Sequence, residues 1–231
     1  MEIHLKISTL PKYLLSIIGL LLLLHCAQLV AYFVIADPEK FDFIELLDFD
    51  YEGNLPSFYS SIALLIASSL LGLIAYHKQT NKAVFRLHWL FLGLIFTGLT
   101  LDEALGLHEE LGDFVESLNL FEAEGFLYFA WVVPYSLLLG IFLLSYFRFI
   151  LSLPAPIRYQ FIFAGLLFIC GALGLEVFSA QEADQHGSST IAYSVLYTLE
   201  ELCEMLGIVV FIYALLGYIR HEMGLISIRL Q

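Results

Sequence analysis

Charge is scarce in this chain. Only 14% of its 231 residues are Asp, Glu, Lys or Arg, 60% are hydrophobic, and the mean hydropathy is +0.84. A soluble domain carries about 25% charged and about 45–50% apolar residues, so a water-solvated globule is excluded and a bilayer is the expected solvent. Lysine and arginine together number ten, form no cluster and leave a formal charge of −13, which gives nucleic acid no electrostatic footprint. Cysteine is rare too. Cys26, Cys170 and Cys203 each fall within an apolar run, as small hydrophobes do. Familiar metal motifs are also missing. The run at His108 reads H-E-E-L-G rather than H-E-x-x-H, no Glu-x-x-His of the di-iron bundles is present, and no histidine cluster of the intramembrane zinc hydrolases occurs. Ser60, Ser61 and Ser179 leave a Ser-His-Asp arrangement open, but no spacing recommends one.

What the chain does have is long hydrophobic runs. A membrane span needs roughly 20 mostly apolar residues at about 1.5 Å each. Six windows qualify: Tyr13–Ile35, Phe58–Tyr76, Leu87–Leu111, Phe126–Phe147, Tyr159–Ala180 and Ala192–Leu216. The runs are continuous rather than alternating, which predicts helices and excludes a barrel. Basic residues are retained on the cytoplasmic side. With the N-terminus inside, Lys6, Lys12, Lys78, Lys82, Arg86, Arg148, Arg158, Arg220 and Arg229 are all cytoplasmic, and only Lys40 lies outside. The expected fold is therefore an all-α integral membrane protein, a single six-helix transmembrane domain over residues 1–231 with both termini cytoplasmic. A bacterial inner (plasma) membrane is the expected location. The first run is too long for a signal-peptide core of about 7–15 residues, and an uncleaved span is expected there.

The acids sort oppositely. Apart from Glu2 and Glu222, the remaining 21 lie in outer loops or within spans. In the outer loop 37–57, Lys40–Phe49 mixes apolar and acidic residues and is expected to lie as an interfacial helix. Asp48-Phe-Asp50-Tyr-Glu52-Gly53 is similar to the start of a calcium loop. The twelfth position, which needs a bidentate Glu, holds Tyr59, so an acidic turn is the better expectation.

Charges within spans carry more information, because each costs roughly 2.5–3.5 kcal/mol to insert. Counted from the cytoplasmic ends, His25, Asp102, Glu176 and Glu201 all lie roughly 20–25 Å up at about 1.5 Å per residue. Four helices thus place an ionisable group in one layer, which reads as one site. On the sixth span Tyr193, Tyr197, Glu200/Glu201 and Glu204 form a stripe, and on the third Gly98, Asp102, Gly106 and Glu109 do so, continuing to Asp113. No basic residue in a span can neutralise these acids, so they either carry protons or share a cation. Carboxylates with His25 or His108 suit a divalent ion such as zinc, iron, manganese or calcium.

Two functions remain open. In the first, Asp102, Glu176, Glu201, Glu204 and Glu109, with His25 or His108, hold a divalent metal, and Glu103 or Glu200 acts as general base on a lipid-like or small substrate from the outer side. In the second, the same acids serve a cation or proton transporter or sensor; a structural membrane subunit is a third outcome. Thr100-Leu-Asp102-Glu103 is similar to Thr198-Leu-Glu200-Glu201, as in inverted repeats, but both sets fall in the outer half, where inversion would separate them. The apolar inner half disfavours a conducting path.

Overall fold

The structure, a computed structural model, describes residues 2–3, 9–34, 44–223 and 228–229. Lys6, Asp37 and Lys40–Phe43 lie outside these residues. The described chain is helical apart from a two-residue antiparallel pairing of β1 (Glu2–Ile3) with β2 (Ile228–Arg229), which brings the two termini together. The helices are α1 (Thr9–Val34), α2 (Ile44–Leu47), α3 (Leu55–Thr80), α4 (Arg86–Leu105), α5 (Leu107–Ser117), α6 (Val132–Ser152), α7 (Ala155–Ile169), α8 (Glu176–His186) and α9 (Ile191–Met223). A π-helical segment, Cys170–Leu175, joins α7 to α8 in one continuous rod. Five helices are long and apolar enough to cross a membrane, or six if the bent pair α4–α5 is one span.

The third window was expected to be one helix and is two. Gly106 ends α4 with φ +63°, and α5 departs at 83°. Only glycine adopts that conformation without cost, and a side chain there would also run into the Glu52 carboxylate. The stripe from Gly98 to Asp113 is therefore divided between two helix directions. The fourth window also starts early. Gly125, with φ +59°, opens a 3₁₀ turn, and α6 begins only at Val132, with Pro134 tolerated in its first turn.

Helix α9 is the axis of the bundle, packed by α1, α3, α7 and α8. Below Glu204 it buries Met205, Ile208, Ile212, Leu215 and Ile219 almost completely. Around this column aromatic rings interlock: Trp89 lies 4.9 Å from Phe149 and 4.6 Å from Tyr218, and Phe211 lies 4.6 Å from Phe96 and 4.7 Å from Phe161. Offset and edge-on pairs of this kind each contribute about 0.5–1.5 kcal/mol beyond their area. Helix α7 meets α9 at Gly207, where an added Cβ would stand 2.9 Å from Phe168 N. Lys78, Lys82, Arg86, Arg148, Arg158 and Arg220 ring this end, and Lys78 Nζ bonds Glu222 Oε2 at 2.6 Å. The opposite end is not filled.

Candidate functional site

A cavity of about 710 Å3 occupies that opposite end. Each wall has a local cause. On α9 the three-and-four spacing turns Tyr193, Tyr197, Glu200, Glu201 and Glu204 into it. Helix α4 ends beneath it with Leu99, Asp102 and Glu103, and the break at Gly106 folds α5 across, delivering His108, Glu109, Asp113 and Glu116. The π turn supplies Ala172 and sets the phase of Glu176 and Ser179: the wider turn closes with Glu176 N donating to Gly171 O. Gly171 itself lies against α9, where a Cβ would be 2.6 Å from Glu200 O. Trp131 and Tyr135 come from the start of α6, and Asp50 and Glu52 from the turn before α3.

That turn is held by a buried polar tie. His25 is fully buried, with Nδ1 3.2 Å from Leu47 O, Nε2 2.9 Å from Thr198 Oγ1 and its ring stacked on Phe49 at 4.3 Å. Gln28 donates to Asp48 Oδ2 at 3.1 Å, and Asp50 N donates to Asp48 Oδ1 at 3.2 Å. Asn54 closes the turn by capping α3, exchanging hydrogen bonds with Ser57. Asp48 is thus occupied as a hydrogen-bond acceptor. The interfacial helix expected over Lys40–Phe49 is described only as the single turn α2.

Inside the cavity, Tyr135 donates to Asp102 Oδ2 at 2.9 Å. Asp102 Oδ1 accepts no hydrogen bond, although His108 Nδ1 stands 3.5 Å away. The other ring nitrogen of His108 is 3.4 Å from Glu52 Oε1, and its ring meets Trp131 edge-on at 5.0 Å. Ser179 donates to Glu200 Oε2 at 3.0 Å, and the Glu176 and Glu200 carboxyls lie within hydrogen-bonding reach of each other. Two carboxyl groups in contact need a proton or a cation between them. Tyr193 donates to Asp50 Oδ1 at 2.8 Å. Burial pushes Glu52 up to about 7, opposed by His108 and reinforced by Glu109 and Asp102. Burial likewise pushes Asp50 up to about 6, opposed by the Tyr193 hydrogen bond and reinforced by Asp48, Glu176 and Glu109.

Of the residues singled out from sequence, Asp102, Glu103, His108, Glu109, Glu176, Glu200, Glu201 and Glu204 all line this cavity. His25 does not; both its ring nitrogens serve the tie beside it. Among the described residues, no three His, Cys, Asp or Glu side chains are arranged to hold a metal ion. The sequence reading set Asp50 and Glu52 in an acidic turn apart from the site, and it did not single out Tyr135 or Trp131. The alternation of acids over Asp48–Glu52 was the available signal for the first pair.

Residues 14–218 match a protein family, described as Domain of unknown function (DUF8692). No curated protein and no solved structure matches the chain.

Proposed function

This chain belongs to the DUF8692 family, and for it we propose a membrane protein that binds a positively charged ligand in a cavity open to the outside. One observation carries this reading. Among the described residues, eleven acids and a single histidine line the cavity and no lysine or arginine does, so this lining holds no fixed cation to balance its acids. A ligand that brings positive charge into this low-dielectric space gains Coulomb energy that water would otherwise screen. Trp131, Tyr135, Tyr193 and Tyr197 add aromatic faces, which favour ammonium groups. The volume lies within the range of roughly 300–1,000 Å3 typical of small-ligand pockets.

The proposed topology has six crossings of a plasma membrane, such as a bacterial inner membrane, with both termini cytoplasmic. The pairing of β1 with β2 supports an even number of crossings, and the ring of basic residues supports the orientation. The packed inner half favours binding, sensing or catalysis over conduction. A divalent-metal-dependent enzyme is the second reading. It is favoured by the Glu176–Glu200 contact, which a cation would bridge; Asp102, Glu201, Glu204, His108 and Glu109 would complete the ligand set, with Glu103 or Glu200 as general base. It stands second because, among the described residues, no three donors converge.

Calorimetric titration of the purified protein with propylammonium chloride, against sodium chloride, tests the first reading. Saturable binding, weakened at least tenfold in a Glu201→Gln/Glu204→Gln variant, is expected. No saturable binding to a folded protein overturns it. Elemental mass spectrometry on the same samples tests the second, which requires near-stoichiometric metal in the wild type and its loss in the variant.

A further inference from the structure

We infer that a lipid acyl chain resides in a groove between α3 and α4 and braces the turn that carries Asp50 and Glu52 into the cavity. This rests on the chain crossing a membrane and is independent of what the cavity binds.

The groove has a volume of about 560 Å3 and arises from a change in how two helices pack. At mid-height α3 and α4 touch closely. Ser68 donates to Gly93 O at 3.1 Å and stands 2.8 Å from Thr97 Oγ1, and a Cβ on Gly93 would be 3.6 Å from Leu71 Cβ. One turn nearer the cavity end, at Leu65 and Thr100, the groove opens between them. It follows α3 from Leu65 to Leu55, about 15 Å at about 1.5 Å per residue. That is half of a hydrocarbon core of about 30 Å, the depth of one leaflet.

The lining selects the occupant. Among the described residues, none that lines the groove is charged. Ser57 and Ser61 are buried at its floor, and both hydroxyls are spent on backbone carbonyls of the same helix end. Phe58, Ile62 and Leu65 stand exposed along its rim, and Leu101 and Leu105 continue the exposed apolar surface beside Thr100 and Ala104. An empty groove would forfeit dispersion contacts along its lining, and the bilayer supplies aliphatic chains at its open side. A partner helix docks on small residues that lie at the surface. Here the small serines lie behind a bulky rim, which suits a thin, flexible chain.

The groove ends against the turn before α3. Leu46, Gly53 and Asn54 line that end, and Asn54 Nδ2 donates to Glu45 O at 2.9 Å. Between Leu46 and Gly53 the same turn presents Asp50 and Glu52 to the acid-lined cavity, and Ser57 lines both spaces. A chain in the groove therefore supports, from behind, the wall that holds these two acids.

The test has two readouts on the full chain. In phosphatidylcholine vesicles, a lipid with a mid-chain diazirine should, on irradiation, label Ser61 and Thr100 severalfold more than Leu144, which is 84% exposed on α6 and lines neither space. Uniform labelling overturns the resident chain. Weaker labelling in the groove than at Leu144, as a second copy seated there would leave, also overturns it. Ala104→Trp places an indole in the groove and should abolish the preference; a preference that survives counts against the site. For the brace, protein stripped of phospholipid in a rigid sterol-based detergent should be cut within residues 44–54 severalfold faster than the same protein with phosphatidylcholine restored. Ala104→Trp should show no such response. A wild-type rate that phospholipid leaves unchanged overturns the bracing.

Discussion

The two ends of the bundle are built from the same helices and could hardly differ more. Along α9, the turns from Tyr193 to Glu204 face open space and acids, and the turns from Met205 to Ile219 are packed against aromatic rings. Helix α4 makes the same change in the other direction, from Trp89, 2% exposed, to Asp102 at the cavity. Inside a bilayer, where apolar burial itself drives little association, tight packing is the main source of helix cohesion. The packed half supplies that cohesion. It leaves the other half free to hold a cavity and to gather acids that pack poorly.

The sharpest test of this division is a matched pair of variants. Trp89→Ala removes the centre of the aromatic cluster and should destabilise the protein by about 3–5 kcal/mol, whereas Glu201→Gln, which relieves crowding among carboxyls, should leave the melting temperature unchanged or raised. Equal losses in detergent unfolding would show that the halves do not differ. A second pair concerns close glycine contacts. Gly207→Leu in the packed half and Gly171→Leu beside the cavity should each cost about 1–3 kcal/mol through overpacking. Only the Gly171 variant should also lose propylammonium binding, since it displaces Glu200 and Glu204; retained binding would separate the glycine from the site. Third, His25→Ala leaves buried partners unpaired on the turn before α3 and on α9 and should cost about 1–3 kcal/mol. Limited proteolysis should then cut within residues 44–54, and an uncut turn would remove the case for the tie.

The smallest effect is on pH. Glu52 has a folded-state value of about 7 against about 4.3 in an unfolded chain. Its protonated form is the one the fold favours, so this stabilisation is fully present below the unfolded value and lost as pH rises through 7. The melting temperature should fall by roughly 2–4 °C between pH 5 and 8, the size of about 1 kcal/mol in a chain of this length. Glu52→Gln should flatten that slope, and a variant with an unchanged slope would place the effect elsewhere.

Much of this was legible in the sequence because hydropathy and helical spacing are local properties. The windows for α3 and α9 fall within the observed helices, the first window overlaps α1 from Tyr13 to Val34, and the stripe from Tyr193 to Glu204 faces the cavity as its period predicts. What escaped was set by tertiary contact. Gly106 reads as a helix-packing glycine until Glu52, distant in sequence, is seen to occupy the space a side chain would need. His25 shares the depth of the acids, yet depth along a helix does not fix the face, and its partners are a loop carbonyl and Thr198. Tyr135 had no pattern at all. Its role comes from the position of Asp102 on another helix.

The π-helical turn at Cys170–Leu175 has a consequence for how this protein tolerates change in length. Each residue of an α-helix advances the chain by about 100° around the axis. Were the turn to tighten into α-helix with all its residues kept, everything after it would rotate by about that angle, carrying Glu176 and Ser179 off the cavity wall, whereas a single deletion within the turn removes the residue that the wider closure accommodates and leaves their phase unchanged. The segment is thus a phase-setting device, in which substitutions are judged by size and changes of length by whether the wider turn persists.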